Sequence, residues 1–183
     1  MNLPNKLTVL RVFLIPLFLA ALLIDAIPGN IFIALAVFAA ASITDWFDGR
    51  IARKNNLVTT FGKFLDPLAD KMLVMSALCC FTYLGWTDPV AVVIILAREF
   101  MVSGLRLVVA GEGVVVAAGI WGKLKTAFTM IALVGIMFLM GVFGMSGTIF
   151  AVNEVLIWIS AVLTVISGAI YLKGYWEYID SSK

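Results

Sequence analysis

The sequence contains no histidine and few charged residues. Without histidine, the chain cannot use Ser-His catalysis, histidine-ligated zinc or imidazole acid–base chemistry. Any acid–base group must therefore be a carboxylate, Lys, Tyr or Cys. Charged residues make up 13% of the chain, about half of the ~25% that is usual in soluble domains. Its two cysteines, Cys79 and Cys80, are adjacent in an apolar stretch, and we predict that they pack as thiols rather than form a disulfide or bind metal.

Hydrophobic residues are correspondingly abundant. They make up 63% of the 183 residues, against roughly 45–50% in soluble domains, and the mean hydropathy is +1.09. A soluble fold could not bury this excess, whereas a bilayer would accept it. The composition therefore predicts an all-α, polytopic membrane protein. At this length a single membrane-embedded domain over residues 1–183 is expected, with its first apolar run retained as a span because no small-residue cleavage site follows.

Six segments are long and apolar enough to cross a bilayer as helices, since a span needs ~20 apolar residues. We predict them at about 7–27, 31–53, 63–85, 89–110, 123–145 and 153–174. Turn-forming residues mark three of the breaks between them. These breaks are Pro28-Gly29-Asn30, Gly85 with Asp88-Pro89, and Gly144 to Gly147.

The charges indicate how these helices are oriented. All of the thirteen Lys and Arg residues except Arg98 fall near one face of the six-helix layout, whereas the loops at the other face contain Asp25, Asp88 and Glu154. Basic residues concentrate on the cytoplasmic side of membrane proteins. We therefore expect a multi-pass protein of the cell membrane with both termini and the active site cytoplasmic. Aromatic residues would form an interfacial collar at the end of the last span: Tyr171, Tyr175, Trp176 and Tyr178.

Four aspartates lie where the second predicted helix ends and the third begins. Asp45 and Asp48 are three residues apart, Asp66 and Asp70 are four apart, and each pair shares one face of a helix. An Asp within a span costs roughly 2.5–3.5 kcal/mol at mid-helix. Hard divalent cations would remove this cost, and oxygen ligands suit Mg²⁺, Mn²⁺ or Ca²⁺. Two ions ~3.5–4 Å apart would assist displacement at phosphorus.

Neighbouring residues fit a site of this kind. Gly49 allows a ligand to approach the backbone, and Arg53, four residues later, could clamp a diphosphate. Pro67 is tolerated in a first helical turn, which predicts that the third helix begins near Gly62 or Lys63. Alternatively, the aspartates only cap helices and pair with cations. The cations available for such pairs are Arg50, Arg53 and Lys71.

The pattern D-x2-D-G-x2-A-R-x8-G-x3-D-x3-D runs from Asp45 to Asp70 and resembles the signature of the CDP-alcohol phosphatidyltransferases. This resemblance implies that Asp45, Asp48, Asp66 and Asp70 ligate two divalent cations, Mg²⁺ or Mn²⁺. It also implies that Asp70 is the base for the acceptor hydroxyl, and that Gly49 and Arg53 hold the CDP group.

Three further stretches are similar to the phosphatidylglycerophosphate synthases within that family. They are 2–11, 97–106 and 122–126. The resemblance implies a bacterial membrane enzyme that transfers the phosphatidyl group from CDP-diacylglycerol to glycerol 3-phosphate, acts as a homodimer and binds no nucleic acid. Asn5 and Thr8 could hold the nucleotide, although either could instead cap the first helix.

A phosphate-bearing acceptor needs a cationic pocket. The candidate residues are Arg98, Arg106, Lys123 and Lys125. Arg98 is the most informative of these, because an arginine within a membrane span usually has a role in function or in an ion pair. It could instead pair with Glu99 or an aspartate of the motif, and the other three could be topology charges or contacts to anionic lipid.

Other functions fit part of the pattern. The acceptor could be inositol phosphate, serine or phosphatidylglycerol, and transfer could be direct or proceed through a phosphatidyl-aspartate. A membrane prenyltransferase would use aspartate pairs and magnesium with another spacing. A divalent-cation transporter would place carboxylates near the membrane midplane, whereas here they gather at one end of two predicted helices.

Overall fold

The chain folds into six long helices in the computed structural model. The backbone is described for residues 3–54, 60–112, 114 and 119–178, and for 3–5, 45–54, 60–67 and 70 the description is of the backbone alone. Over these residues the structure is all-helical, as predicted. The helices are α1 (Leu3–Leu23), α2 (Asn30–Lys54), α3 (Thr60–Tyr83), α4 (Pro89–Gly111), α5 (Ile120–Phe143) and α6 (Gly147–Gly174), followed by a short 3₁₀ turn, Trp176–Tyr178.

The six predicted segments correspond to these helices, with differences at their ends. The last helix begins at Gly147 rather than near 153, and α1 covers Leu3–Leu23 rather than 7–27. Helix α3 begins at Thr60, two or three residues before the expected start near Gly62 or Lys63, so Pro67 is its eighth residue and lies beyond the first turn. Helices in apolar surroundings tolerate an internal proline when neighbouring groups satisfy the freed carbonyl, and α1 likewise contains Pro16.

Glycine ends two of the helices as the turn signals predict. Gly85 and Gly144 have φ angles of 69° and 66°, in the left-handed region that side chains with a Cβ atom disfavour. The Gly144 N–H donates to the Met140 carbonyl at 3.1 Å, which satisfies a carbonyl that the end of α5 would leave without a donor.

Three helices are long and apolar enough to cross a membrane, judged over the described residues. The qualifying segments are Lys6–Leu23, Ile120–Phe143 and Gly147–Gly174, and two shorter apolar helices cover Asn30–Thr44 and Lys71–Tyr83. Large apolar side chains face outward on several helices, among them Phe13 at 71% exposed and Leu107 at 77%. These features are those of a membrane protein, because lipid rather than water can cover such surface.

The helices form two compact units. The first contains Met1–Leu84 and Leu133–Ser146, and the second contains Gly85–Ala132 and Gly147–Lys183. In the first unit α1 packs against α2 and α3. Its buried residues recur every three or four positions, the period of one helix face: Thr8, Arg11, Ile15, Phe18 and Leu22.

Two contacts show that α1 and α2 form an antiparallel pair. The Phe18 and Phe38 rings lie 5.7 Å apart between centroids, and the Asn30 side-chain amide donates to the Leu22 carbonyl at 3.5 Å. Leu22 of α1 contacts Asn30 of α2, and Phe18 of α1 contacts Phe38 of α2, so the residue number decreases along α1 as it increases along α2. The first turns of α1 are therefore level with the last turns of α2.

In the second unit α4 and α6 pack side by side and run in the same direction. Near their starts, the Asp88 N–H donates to Glu154 Oε1 at 2.5 Å. Further along both helices, Arg98 donates to Ser167 at 2.7 Å. The buried face of α6 includes several polar side chains: Asn153, Ser160, Thr164 and Ser167.

Asp88 caps α4, and its removal is predicted to weaken the second unit. Its carboxylate accepts from the Val90 N–H at 2.7 Å, and α4 begins with Pro89. We expect Asp88→Ala to lower the free energy of unfolding by about 1 kcal/mol, the usual effect of losing an N-cap. Thermal unfolding of the detergent-purified protein measures this. Asp25→Ala, at an exposed loop position, is the control, and equal unfolding temperatures for the two variants would contradict the prediction.

Candidate active site

The backbone places the four motif aspartates on two helices that pack together. Asp45 and Asp48 lie in the last turns of α2, Asp66 and Asp70 lie in α3, and α2 contacts α3. With spacings of three and four residues, each pair shares one helix face. The aspartate side chains lie outside the described residues. So do the side chains of Asn5 and Arg53 and the surroundings of Gly49.

This donor set fits divalent cations, because carboxylates are the oxygen ligands that Mg²⁺ and Mn²⁺ prefer. Among the side chains that the structure describes, no group of three or more His, Cys, Asp or Glu residues could hold a metal ion. The motif aspartates are the candidate metal ligands because of their chemistry and spacing.

Two buried polar residues of α1 lie at the level of the first aspartate pair. Thr8 is 1% exposed and Arg11 is fully buried. Arg11 precedes Phe18 by seven residues, and Asp45 follows its contact Phe38 by seven, so the antiparallel register puts Arg11 level with Asp45. Thr8 lies five residues inside α1, so the suggestion that it caps this helix was wrong. Beyond the first turn the backbone N–H groups bond within the helix, so they do not need a capping side chain.

An apolar groove runs along α3 from just beyond Asp70. It has a volume of about 420 Å³ and is lined by Leu19, Leu23, Met72, Met75, Ser76, Cys79, Cys80 and Tyr83. From Met72 to Tyr83 the groove follows α3 for about 16 Å at 1.5 Å per residue. Both cysteines are free thiols, Cys79 exposed and Cys80 buried.

A buried ionic cluster occupies the second unit. Arg98, in the middle of α4, is 6% exposed, and its Nη1 donates to Glu99 Oε1 at 3.0 Å. The Lys125 ammonium of α5 donates to the same carboxylate oxygen. Arg98 Nη2 donates to Ser167 Oγ of α6 at 2.7 Å. Glu99 thus joins two of the predicted phosphate-binding cations, and the expected alternative, an Arg98–Glu99 pair, is present.

The third predicted cation, Arg106, is held by Tyr171. Arg106 Nη2 donates to the Tyr171 hydroxyl at 2.9 Å. The same oxygen accepts from the Gly119 N–H at 3.1 Å. Tyr171 is only 6% exposed, so its assignment to an interfacial aromatic collar was wrong. The hydroxyl has internal donors and does not need the membrane–water interface to satisfy it.

Lys123, the fourth predicted cation, lies apart from this cluster. It is exposed one turn into α5, and within the described part of the chain it makes no hydrogen bond or ion pair with the other three. The structure therefore brings together Arg98, Arg106 and Lys125 through Glu99 and Tyr171, but not Lys123.

Sequence reasoning named Glu99 only as an alternative partner of Arg98, and it missed the part that Ser167 and Tyr171 play in the cluster. The sequence predicts residues 153–174 as an apolar span, yet this segment supplies Ser167 and Tyr171 to the cluster. The available signal was a row of polar residues three or four apart in an apolar helix, which predicts one buried polar face. This row consists of Ser160, Thr164, Ser167 and Tyr171.

Comparison with known proteins identifies the class. Residues 1–166 match the family described as CDP-alcohol phosphatidyltransferase. Since the match covers most of the chain, the chain belongs to this family, and the resemblance inferred from the aspartate motif is confirmed.

Individual relatives indicate which members of the family this chain is similar to. The chain is 42% identical to the CDP-diacylglycerol–glycerol-3-phosphate 3-phosphatidyltransferase of Bacillus subtilis (strain 168), over 99% of this chain and 98% of that protein. It is 44% identical to the protein of the same name from Rickettsia prowazekii (strain Madrid E), over 97% of each. It is 41% identical to a probable phosphatidylglycerophosphate synthase of Mycobacterium tuberculosis (strain ATCC 25618 / H37Rv), over 93% of this chain and 80% of that one.

Gly168 on α6 leaves the space that Arg98 fills. A Cβ atom at Gly168 would lie 2.9 Å from Arg98 Cγ, whereas one at Gly104 would meet nothing within 4 Å. We expect Gly168→Ala to displace Arg98 and lower the free energy of unfolding by about 1–3 kcal/mol. Gly104→Ala, within α4, should be neutral or raise it by up to about 1 kcal/mol. Thermal unfolding of both variants checks this, and a Gly168→Ala protein as stable as Gly104→Ala would refute it.

Proposed function

We propose that the chain transfers the phosphatidyl group of CDP-diacylglycerol to the hydroxyl of glycerol 3-phosphate, forming phosphatidylglycerophosphate and releasing CMP. Membership of the CDP-alcohol phosphatidyltransferase family supports the reaction class. The names of relatives that match nearly the whole chain support the donor and the acceptor. The observation that carries the acceptor assignment is the cationic cluster around Arg98.

In this proposal Asp70 acts as the base. It takes the proton of the acceptor's primary hydroxyl, the oxygen forms a bond to the phosphorus that carries diacylglycerol, and the bond between the two donor phosphates breaks so that CMP leaves. Asp45, Asp48, Asp66 and Asp70 would hold two divalent cations, Mg²⁺ or Mn²⁺. When bound, these ions offset the negative charge of the carboxylates and the donor diphosphate.

The first unit has features suited to the lipid donor. Gly49, Arg53, Asn5 and Thr8 would hold the CDP group, and Thr8 is buried at the level of the α2 motif. The apolar groove that begins at Met72 has the volume and the apolar lining that suit an acyl chain. A donor whose diphosphate lies at the motif could extend a chain along α3 from that point, entering from the cytoplasmic leaflet.

The cluster in the second unit has the charge that a phosphate monoester needs. Among the described residues of this cluster, Arg98, Arg106 and Lys125 are three cations and Glu99 is one carboxylate. A phosphate monoester carries about −1.5 to −2 at neutral pH. In addition, the buried Arg98 Nε has no acceptor among the described residues, so its internal partners do not satisfy the guanidinium fully. We propose that Arg98, Arg106, Lys125 and, through longer-range attraction, Lys123 bind the acceptor phosphate.

We further propose the arrangement of the protein in the membrane. The chain would be a single domain with six spans, both termini and the active site would face the cytoplasm of a bacterial cell, and the protein would form a homodimer. The distribution of Lys and Arg supports the orientation, and the family resemblance supports the dimer.

The reaction is tested by CMP release from the detergent-purified protein supplied with CDP-diacylglycerol and Mg²⁺. The acceptors compared are glycerol 3-phosphate, inositol phosphate, serine and phosphatidylglycerol. We expect release with glycerol 3-phosphate alone, and a kcat at least ~10²-fold lower in Asp70→Asn because the base is lost. Release with another acceptor would replace the assignment of glycerol 3-phosphate, and no release with any acceptor would refute the proposed reaction.

The acceptor pocket is tested with Lys125→Ala and Arg106→Ala. Hydrogen bonds to charged groups contribute about 1.5–3 kcal/mol, so we expect each change to raise the KM for glycerol 3-phosphate by roughly ten- to a hundred-fold. The KM for CDP-diacylglycerol should stay within about twofold, because the donor is bound elsewhere. Lys173→Ala, an exposed position near the end of α6, removes the same charge and serves as the control. An acceptor KM unchanged in both pocket variants would exclude these residues from binding.

A further inference from the structure

One phenol group links three helices in the second unit. Tyr171 of α6 accepts hydrogen bonds from Arg106 of α4 at 2.9 Å and from the Gly119 N–H, immediately before α5, at 3.1 Å. We propose that Tyr171 is a positioning residue that fixes Arg106 for binding the acceptor's phosphate and so sets the affinity for glycerol 3-phosphate. This inference rests on the proposed function.

Arg106 depends on Tyr171 for its position. Arg106 is exposed, so the surrounding protein does not confine it on all sides. Fixing an arginine side chain in one rotamer costs about 2 kcal/mol of conformational entropy. Both contacts that the described residues show for its guanidinium are to Tyr171, the hydrogen bond and a ring contact with the Arg106 carbon Cζ 5.2 Å from the ring centroid. A contact of this kind is attractive within about 6 Å. The hydroxyl and the ring face together therefore select one orientation of the guanidinium.

The same ring also lies close to the deeper cation. Arg98 Cζ is 5.7 Å from the Tyr171 centroid, although Arg98 is eight residues from Arg106, or about 12 Å along a helix. Tyr171 thus spans the distance between two guanidinium groups on the same face of α4. Since Arg98 has other partners in Glu99 and Ser167, loss of the Tyr171 hydroxyl should affect Arg106 more than Arg98.

The position of Tyr171 itself is fixed by its packing. It packs with Val102, Leu105 and Val109 of α4, and its ring stacks on Tyr175 with centroids 6.5 Å apart. A Cβ atom at Gly122 of α5 would lie 3.2 Å from the Tyr171 oxygen. The phenol is therefore in close contact with the start of α5, where an added methyl group would displace it by a few tenths of an ångström.

The hydroxyl can be removed without removing the ring. Tyr171→Phe keeps the apolar packing and both ring–cation contacts but loses the two hydrogen bonds. Arg106 would then regain rotamer freedom that the acceptor phosphate must remove on binding. We expect the KM for glycerol 3-phosphate to rise about five- to twenty-fold, with kcat and the KM for CDP-diacylglycerol within about twofold of the parent protein. Tyr175→Phe, which removes a hydroxyl from the stacked neighbour, should leave all three constants unchanged.

A double-mutant comparison separates positioning of Arg106 from a general structural role. If Tyr171 acts through Arg106, Tyr171→Phe should raise the acceptor KM in the parent protein but by less than about twofold in an Arg106→Ala background. An equal increase in both backgrounds would overturn the inference, as would an unchanged KM in Tyr171→Phe. Gly122→Ala keeps the hydroxyl but crowds it, and should raise the same KM even if Tyr171→Phe folds poorly.

The outcome is distinguishable from failure of the proposed function. If the parent protein releases no CMP with glycerol 3-phosphate, the function is wrong and the inference falls with it. If the parent protein is active and Arg106→Ala raises the acceptor KM while Tyr171→Phe and Gly122→Ala do not, only the positioning role of Tyr171 is refuted.

Discussion

The second unit depends on how charge is accommodated among apolar helices. A charged group removed from water is strongly unfavourable unless it is paired and hydrogen-bonded. Arg98, Glu99 and Lys125 have side chains only 6–14% exposed, and they meet at one carboxylate oxygen. Removing Glu99 would take away the carboxylate that both cations share. The pairing of these buried charges between helices therefore also places cations where a phosphate could bind.

The last helix has a larger role than its apolar composition indicates. Ser167 and Tyr171 of α6 contact Arg98 and Arg106 of α4, and Gly168 leaves room for the Arg98 side chain. These three positions lie on one buried face, on the same turns of the helix. Helix α6, a candidate membrane span, thus also positions the cations of α4.

Much of the fold follows from local sequence. Long apolar segments and the turn glycines Gly85 and Gly144 predict six helices and several of their limits, because helix length and left-handed turns depend on nearby residues. Pro67 indicated the start of α3 to within two or three residues, but it is the eighth residue of the helix and lies beyond the first turn. A proline changes a local hydrogen bond, whereas packing with other helices decides whether a helix continues past it.

The sequence by itself determined the class of protein and its candidate chemistry. The aspartate spacing from Asp45 to Asp70 marks the family, because residues three or four apart share a helix face whatever the rest of the chain does. Only the tertiary structure decided how the cations are partnered. Glu99 joins Arg98 to Lys125, Tyr171 holds Arg106, and Lys123 stays apart. Residues as far apart in sequence as Arg98 and Ser167 meet only when α4 and α6 pack side by side, and no local pattern specifies that contact.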